Sequence, residues 1–280
     1  RLKAGAGIAP LVKTTWDQNP YVNDSCPYNA TYKARAITGC VATAMAQIMK
    51  YWSYPTTGKG QASYCDCPPY FSGNYGTLSA NFAATTYDWA NMPLTNSKSA
   101  ALAQLMYHCG VAVNMDYGTL NEGGSGAYVM GANYPSAQQA FGAYFLYDAA
   151  KMKGVNQSSY TGTGWADLLQ AELNAGRPVQ YQGFDPGGGG HTWVCDGYDA
   201  TGLFHMNWGW GGQNNGFYNI NNLAVAGYNF STSTGALIGI QPSVPVTPPV
   251  ATCAAPSLFA SGITKSGFTI SWAPYQGNLS

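Results

Sequence analysis

A chain of 280 residues that is 46% hydrophobic and 9% charged buries one substantial core and has too few charges for a disordered polymer. Twelve basic residues balance twelve acidic ones, so no net field exists to hold a nucleic-acid backbone or an anionic membrane. No run approaches the roughly 18 apolar residues of a membrane span, and 35 glycines with 16 prolines indicate a loop-rich globular protein.

The N-terminal stretch Arg1–Lys13 lacks the long apolar core of a signal peptide. Next comes Trp16-Asp17-Gln18-Asn19-Pro20-Tyr21, which puts a glutamine amide before a proline turn, a side chain able to donate to a developing oxyanion. Val41, Met45, Ile48, Met49 and Trp52 recur at helical spacing and predict an amphipathic helix over residues 39–53 with one apolar face inward. Cys40 falls where loop becomes helix. Its thiol would face unpaired N–H groups and the positive end of the helix dipole, which favours the thiolate. Further helices are expected over Ser97–Val113, Ser136–Phe145 and Trp165–Leu173, the last ended by Gly176-Arg177-Pro178.

Strand-like runs follow at Val179–Gln182, Thr192–Tyr198, Leu203–Trp208, Phe217–Ile220 and Ala236–Ile240, separated by glycine, asparagine and aspartate turns. Helices followed by an antiparallel sheet make an α+β domain, here residues 1–242. Gln241–Pro256 holds five prolines, so residues 243–256 read as an extended linker. Residues 257–280 suggest two short strands around Lys265-Ser266-Gly267, with Phe268, Ile270 and Trp272 on one face. They resemble the opening of a β-sandwich module of the fibronectin III-like kind, which takes about 90–100 residues. The expectation is a truncated module and a chain that continues in a longer protein.

The seven cysteines are an odd number, so full internal pairing leaves a thiol over. Cys65-Asp66-Cys67 has no second pair at zinc-ligand spacing, and neither a metal nor a cofactor is expected. Among three histidines, His191 follows Asp185-Pro186 and four glycines, a loop expected to be mobile and open enough for a ligand's backbone to approach. His108 lies inside a helical run and His205 within a strand, where structural roles are the better reading. Cys195 stands four residues along the strand from His191, about 13 Å away and out of proton-transfer reach. Asn207 in His205-Met206-Asn207-Trp208-Gly209-Trp210-Gly211-Gly212 offers an amide to fix the imidazole tautomer, while Trp208 shields it from water. Each residue alone has a plainer reading. Cys40 is also a small buried hydrophobe, Gln18 a solvated loop residue, and the tryptophan–glycine turn a piece of core.

Taken together, Gln18–Tyr21, Thr38–Trp52, Gly189–Tyr198 and His205–Gly212 resemble, in order, the four signature blocks of the streptopain-type, interpain-like cysteine peptidases. The resemblance covers about residues 10–242. It implies a papain-like α+β fold with a helical left half carrying Cys40, a β-rich right half carrying His191 and a cleft between them. It implies Gln18 in the oxyanion hole, Asn207 and Trp208 supporting the histidine, and Gly190, Gly123 and Ser125 at substrate-binding positions. It further implies protein and peptide substrates, secretion from a bacterium or display on its surface, and a zymogen inhibited by its own N-terminal pro-domain, with this sequence expected to be the mature form. The extra cysteines depart from the family's single-cysteine pattern and leave disulfides unassigned. A cysteine-dependent acyl-transferase or amidase would use the same constellation, and an adhesin with an inert thiol is the alternative of a different class.

Overall fold

A computed structural model of the chain describes residues 7–246, 258–264 and 267–272. A two-residue ladder of β1 (Tyr28–Asn29) and β2 (Ala34–Arg35) precedes α1 (Cys40–Trp52). An antiparallel hairpin of β3 (Gln61–Asp66) and β4 (Gly76–Asn81) follows, then α2 (Ala100–Ala112) and α3 (Ala137–Ala143). The second half opens with β5 (Lys153–Asn156) and α4 (Gly164–Asn174). It continues through β6 (Val179–Asp185), β7 (Gly189–Tyr198), β8 (Phe204–Asn207) and β9 (Gly216–Tyr218). The small ladder of β10 (Ala224–Val225) and β11 (Tyr228–Asn229) leads to β12 (Thr232–Ile238). One antiparallel sheet of order β5-β12-β6-β7-β8-β9 results. The predicted strand pair near the C-terminus is an antiparallel hairpin, β13 (Leu258–Thr264) with β14 (Gly267–Trp272). Most of the predicted linker, residues 247–256, lies outside the described residues.

The helix boundaries have local causes. Ser99 accepts from Leu102 N–H to start α2, and Ser136 accepts from Gln139 N–H to start α3. Beyond α4, Gly176 takes φ 71° and Arg177 turns back in a bidentate pair with Glu172, both contacts at 2.8 Å. Helix α1 differs from the expectation of one inward face: eleven of its thirteen residues are buried. Only Gln47 and Lys50 interrupt its apolar and small side chains with long polar ones, so it runs through the core between α2 and the sheet strand β7 instead of lying on the surface. Strand β7 is itself buried from Thr192 to Tyr198.

The pairing of β7 with β8 is irregular between Cys195 and Gly197, at Asp196. There the buried Asp196 carboxylate accepts from Val12 N–H at 2.8 Å and bonds His205 Nδ1 at 2.6 Å, tying the N-terminal segment to the sheet. His108 is also engaged in structure: its Nδ1 meets the Tyr87 hydroxyl at 3.0 Å, and burial lowers its pKa to about 4. Two of the three histidines are thus committed to the core. Among the described residues Cys65 and Cys67 form a disulfide, Cys26, Cys109 and Cys195 are buried thiols, and Cys40 alone keeps surface open. No described helix is long and apolar enough to cross a membrane.

Candidate active site

Cys40 is the first residue of α1, preceded by Gly39 at φ 79°. A Cβ at Gly39 would lie 2.8 Å from the Met115 side chain and 3.2 Å from Ser125, so both conformation and space demand glycine there. The backbone N–H groups of Thr192, Val41 and Cys40 itself favour the Cys40 thiolate. Burial is the larger influence and raises the thiol's pKa, while the three donors oppose it.

Thr192 is also the neighbour of His191, so strand β7 brings the imidazole to the same place. Cys40 and His191 line one cleft of about 410 Å³. His191 Nε2 lies 2.9 Å from the main-chain oxygen of Trp208. A carbonyl only accepts, so Nε2 carries the hydrogen and Nδ1 keeps a lone pair able to take a proton. The ring stacks at 4.8 Å from Trp210, with Phe230 at 5.3 Å and Trp193 at 5.7 Å. Burial lowers the pKa of His191 to about 4, the Trp208 bond opposing it. Once a proton arrives, indole faces stabilise the imidazolium. Proton transfer from Cys40 to His191 leaves the pair net neutral, so the penalty on each lone charge does not fall on the pair.

Asn207 does not touch the imidazole. Its Nδ2 donates to Thr14 O at 2.7 Å, and its Oδ1 accepts from Gln47 Nε2 and Gly209 N, both at 3.3 Å. This amide joins three segments: the N-terminal segment, α1 and the turn after β8. The residue that supports His191 is Trp208, by its carbonyl and by its ring stacked at 6.3 Å. Asn207→Ala is therefore expected to lower folding stability by about 1–3 kcal/mol through stranded buried partners and to leave kcat of the folded enzyme within about tenfold. Paired denaturant melts and active-site-titrated kinetics separate this from an orienting role, for which kcat falls by roughly 10⁴ with stability retained.

Gln18 is anchored by its main chain, its carbonyl accepting from Thr38 N–H at 3.1 Å, two residues before Cys40. Gly190 lines the cleft, and a Cβ there would stand 2.7 Å from the Phe184 ring. Ser125 lines it too, with Oγ donating to Ile37 O at 2.7 Å and accepting from Gly118 N–H at 3.0 Å, so it braces the segment entering Cys40. Gly123 stays outside the cleft lining. It closes a short 3-10 turn at φ 92° with open space where a Cβ would stand, and it serves the turn. The glycine run forms an exposed hairpin turn, in which Asp185 Oδ1 accepts from Gly187 N–H at 2.8 Å and Gly189 and Gly190 are paired in β7.

Several contributors escape a reading of single residues. Gln47 is buried in α1 and bridges Thr14 to Asn207. Asn215 Oδ1 accepts from Trp208 N–H at 3.0 Å and so fixes the peptide next to the orienting carbonyl. Gly209, Gly211 and Gly212 all take positive φ and press against Thr43, Asp17 and Thr15. The Gly-Trp-Gly-Gly motif carried that last signal; nothing in the sequence marked Gln47 or Asn215.

A nucleophile at a helix start, an imidazole with one nitrogen engaged and one free, and a shared cleft invite comparison with known proteins. The model of the peptidase C10 family matches residues 16–218. The chain belongs to the peptidase C10 family. Its relatives include the thiol protease/hemagglutinin PrtT of Porphyromonas gingivalis, 32% identical over 259 residues, which cover 85% of this chain and 28% of PrtT. Streptopain of Streptococcus pyogenes is 32% identical over 258 residues, covering 84% of this chain and 62% of streptopain. The chain thus spans about three-fifths of streptopain and under a third of PrtT. Among solved structures, active interpain A, a cysteine protease of Prevotella intermedia, superposes with a TM-score of 0.75 at 36% identity, over 85% of this chain and 96% of that one. A fragment of prointerpain A gives 0.72 at the same identity, over 87% of this chain and 74% of the fragment. The C10 fold is α+β, as the order of helices and strands predicted.

Proposed function

We propose that this C10 chain is a cysteine endopeptidase in which Cys40 is the nucleophile and His191 the acid–base group. The observation that carries the reading is the single cleft shared by Cys40 and an imidazole whose Nε2–H is held by Trp208 O. Nδ1 takes the thiol proton as Sγ attacks the scissile carbonyl carbon. The oxyanion is received by Cys40 N–H and the Gln18 side-chain amide. Collapse expels the amine, which leaves with the proton from Nδ1, and a thioester remains on Cys40. Nδ1 then deprotonates water, which attacks the thioester, and the proton returns to sulfur.

Gly190 and Ser125 shape the wall along which substrate backbone lies. Asn207 serves by holding the Trp208 peptide in place. The mature enzyme acts on proteins and peptides outside the bacterial cell, and an N-terminal pro-domain restrains its precursor. The quarter of the prointerpain A fragment beyond the matched region supports that partner. Residues 243–256 serve as a linker, and the antiparallel register of β13 and β14 suits a β-sandwich-like unit at 257–280.

Digestion of a peptide library by wild type and by Cys40→Ala, with and without an added amine, tests the reading. Internal peptide bonds are expected to be hydrolysed by wild type only, with carboxylate products in both conditions. Uncut libraries, or products capped by the amine in place of water, would contradict it.

A further inference from the structure

Across the wall residues Gly126, Ala127, Tyr128 and Tyr134, which line both spaces, the cleft beside Cys40 borders a second chamber of about 850 Å³, twice its own volume. The far side of this chamber is made by Tyr70, Phe71, Val113 and Pro135. Tyr70 is 88% exposed and Tyr128 69% exposed, a large aromatic outlay to leave in water without a partner.

The chamber is built, not an accident of loop packing. Asp116 holds both of its walls. Its main chain pairs with Gly126 through two hydrogen bonds of 2.9 Å, and its carboxylate accepts from Ser72 N–H at 3.0 Å, Ser72 Oγ at 2.7 Å and Gly73 N–H at 2.9 Å. The segment bearing Tyr70 and Phe71 is thereby fixed to the segment bearing Tyr128. The ridge between the spaces is equally ordered: Tyr134 donates to Met130 O at 2.8 Å and meets Tyr128 edge to face at 5.4 Å. Asp116 is the one charged residue lining the chamber, and its carboxylate is engaged by those three donors. Apart from Asn114, what remains on offer is mainly aromatic and aliphatic surface.

We infer that this chamber is an extended subsite that seats a large apolar side chain of the substrate, several residues N-terminal to the scissile bond. The occupant follows from the wall the two spaces share, since a peptide bound in the cleft beside Ser125–Tyr128 lies against residues that also line the chamber. The acyl half is the half placed there, because Trp210, which flanks the imidazole that protonates the leaving amine, lines neither space. The assignment rests on the peptidase reading and adds a determinant of specificity to it.

Three peptides sharing one cleavable core test it: the core alone, the core with a four-residue glycine–serine extension at its N-terminus, and the same extension carrying phenylalanine. In wild type the phenylalanine extension is expected to raise kcat/KM about tenfold over the glycine–serine one, the order set by burying one aromatic side chain. Tyr70→Asp, at an exposed position that tolerates replacement, is expected to bring that ratio below threefold. Because the ratio is taken within each enzyme, a general loss of activity does not move it. Equal rates on both extensions in wild type, or an unchanged ratio in Tyr70→Asp, overturns the subsite while leaving the peptidase intact. Wild type that cuts none of the three peptides removes the peptidase reading, and the subsite with it.

Discussion

His191→Ala is expected to lower kcat/KM by roughly 10⁴-fold or more, the scale on which members of a nucleophile–base pair fail when one is removed. Epoxysuccinyl labelling of Cys40 should report the same loss directly, being stoichiometric in wild type and abolished in the variant. The reason lies in burial. The Cys40 thiol is raised above its ordinary value, so an isolated sulfur at neutral pH holds its proton, and in the proposed mechanism Nδ1 of His191 removes it. The pH profile follows with a definite sign. Burial lowers His191 to about 4, so its lone pair is available above that value and is lost as pH falls through it. Wild-type kcat/KM should show an acid limb near pH 4 and hold its plateau through neutrality, whereas any residual labelling of His191→Ala should climb only toward alkaline pH. Equal labelling of both proteins at neutral pH would break the pairing.

Gln18→Ala is expected to reduce kcat by roughly 10²–10³, the loss measured when one donor to a developing oxyanion is deleted, with KM little changed because the bond strengthens only as charge forms. The main-chain tie from Thr38 N–H to Gln18 O does not depend on the side chain, so the loop keeps its register and the loss is chemical. Gln18→Glu should be worse than alanine, since a carboxylate would face the oxyanion. Retention of more than half of wild-type turnover by Gln18→Ala would remove Gln18 from the mechanism.

The helices and the central strands were legible because their causes are local. Serine caps, the Gly176-Arg177-Pro178 stop and strand-like runs bounded by turn residues, such as Thr192–Tyr198, depend on neighbours in sequence. Hairpin β3–β4 was not legible: Gln61–Asp66 is short and half polar, and it buries Tyr64 and Asp66 against the distant Met115 and Tyr117. The all-round burial of α1 was hidden for the same reason, because Gln47 reads as a solvent-facing residue until Thr14 and Asn207 come to meet it. At the site, the residue types that make cysteine–histidine chemistry were visible, and the long motif blocks ordered them. The partner of the imidazole was not, since a peptide oxygen carries no signature in sequence, and the neighbouring asparagine drew the assignment that belongs to the carbonyl.

That carbonyl has an evolutionary corollary. A side-chain partner can be deleted by one codon change; the Trp208 oxygen is present whatever residue is encoded there. Inactivating lesions that act through this oxygen should therefore gather where the chain's path is set, at Gly209, Gly211, Gly212 and Asn215, whereas those at Trp208 itself act through its buried ring. A survey seeking the third catalytic group by residue identity would overlook it, while one scoring tolerance to added side chains along this turn would find its outline.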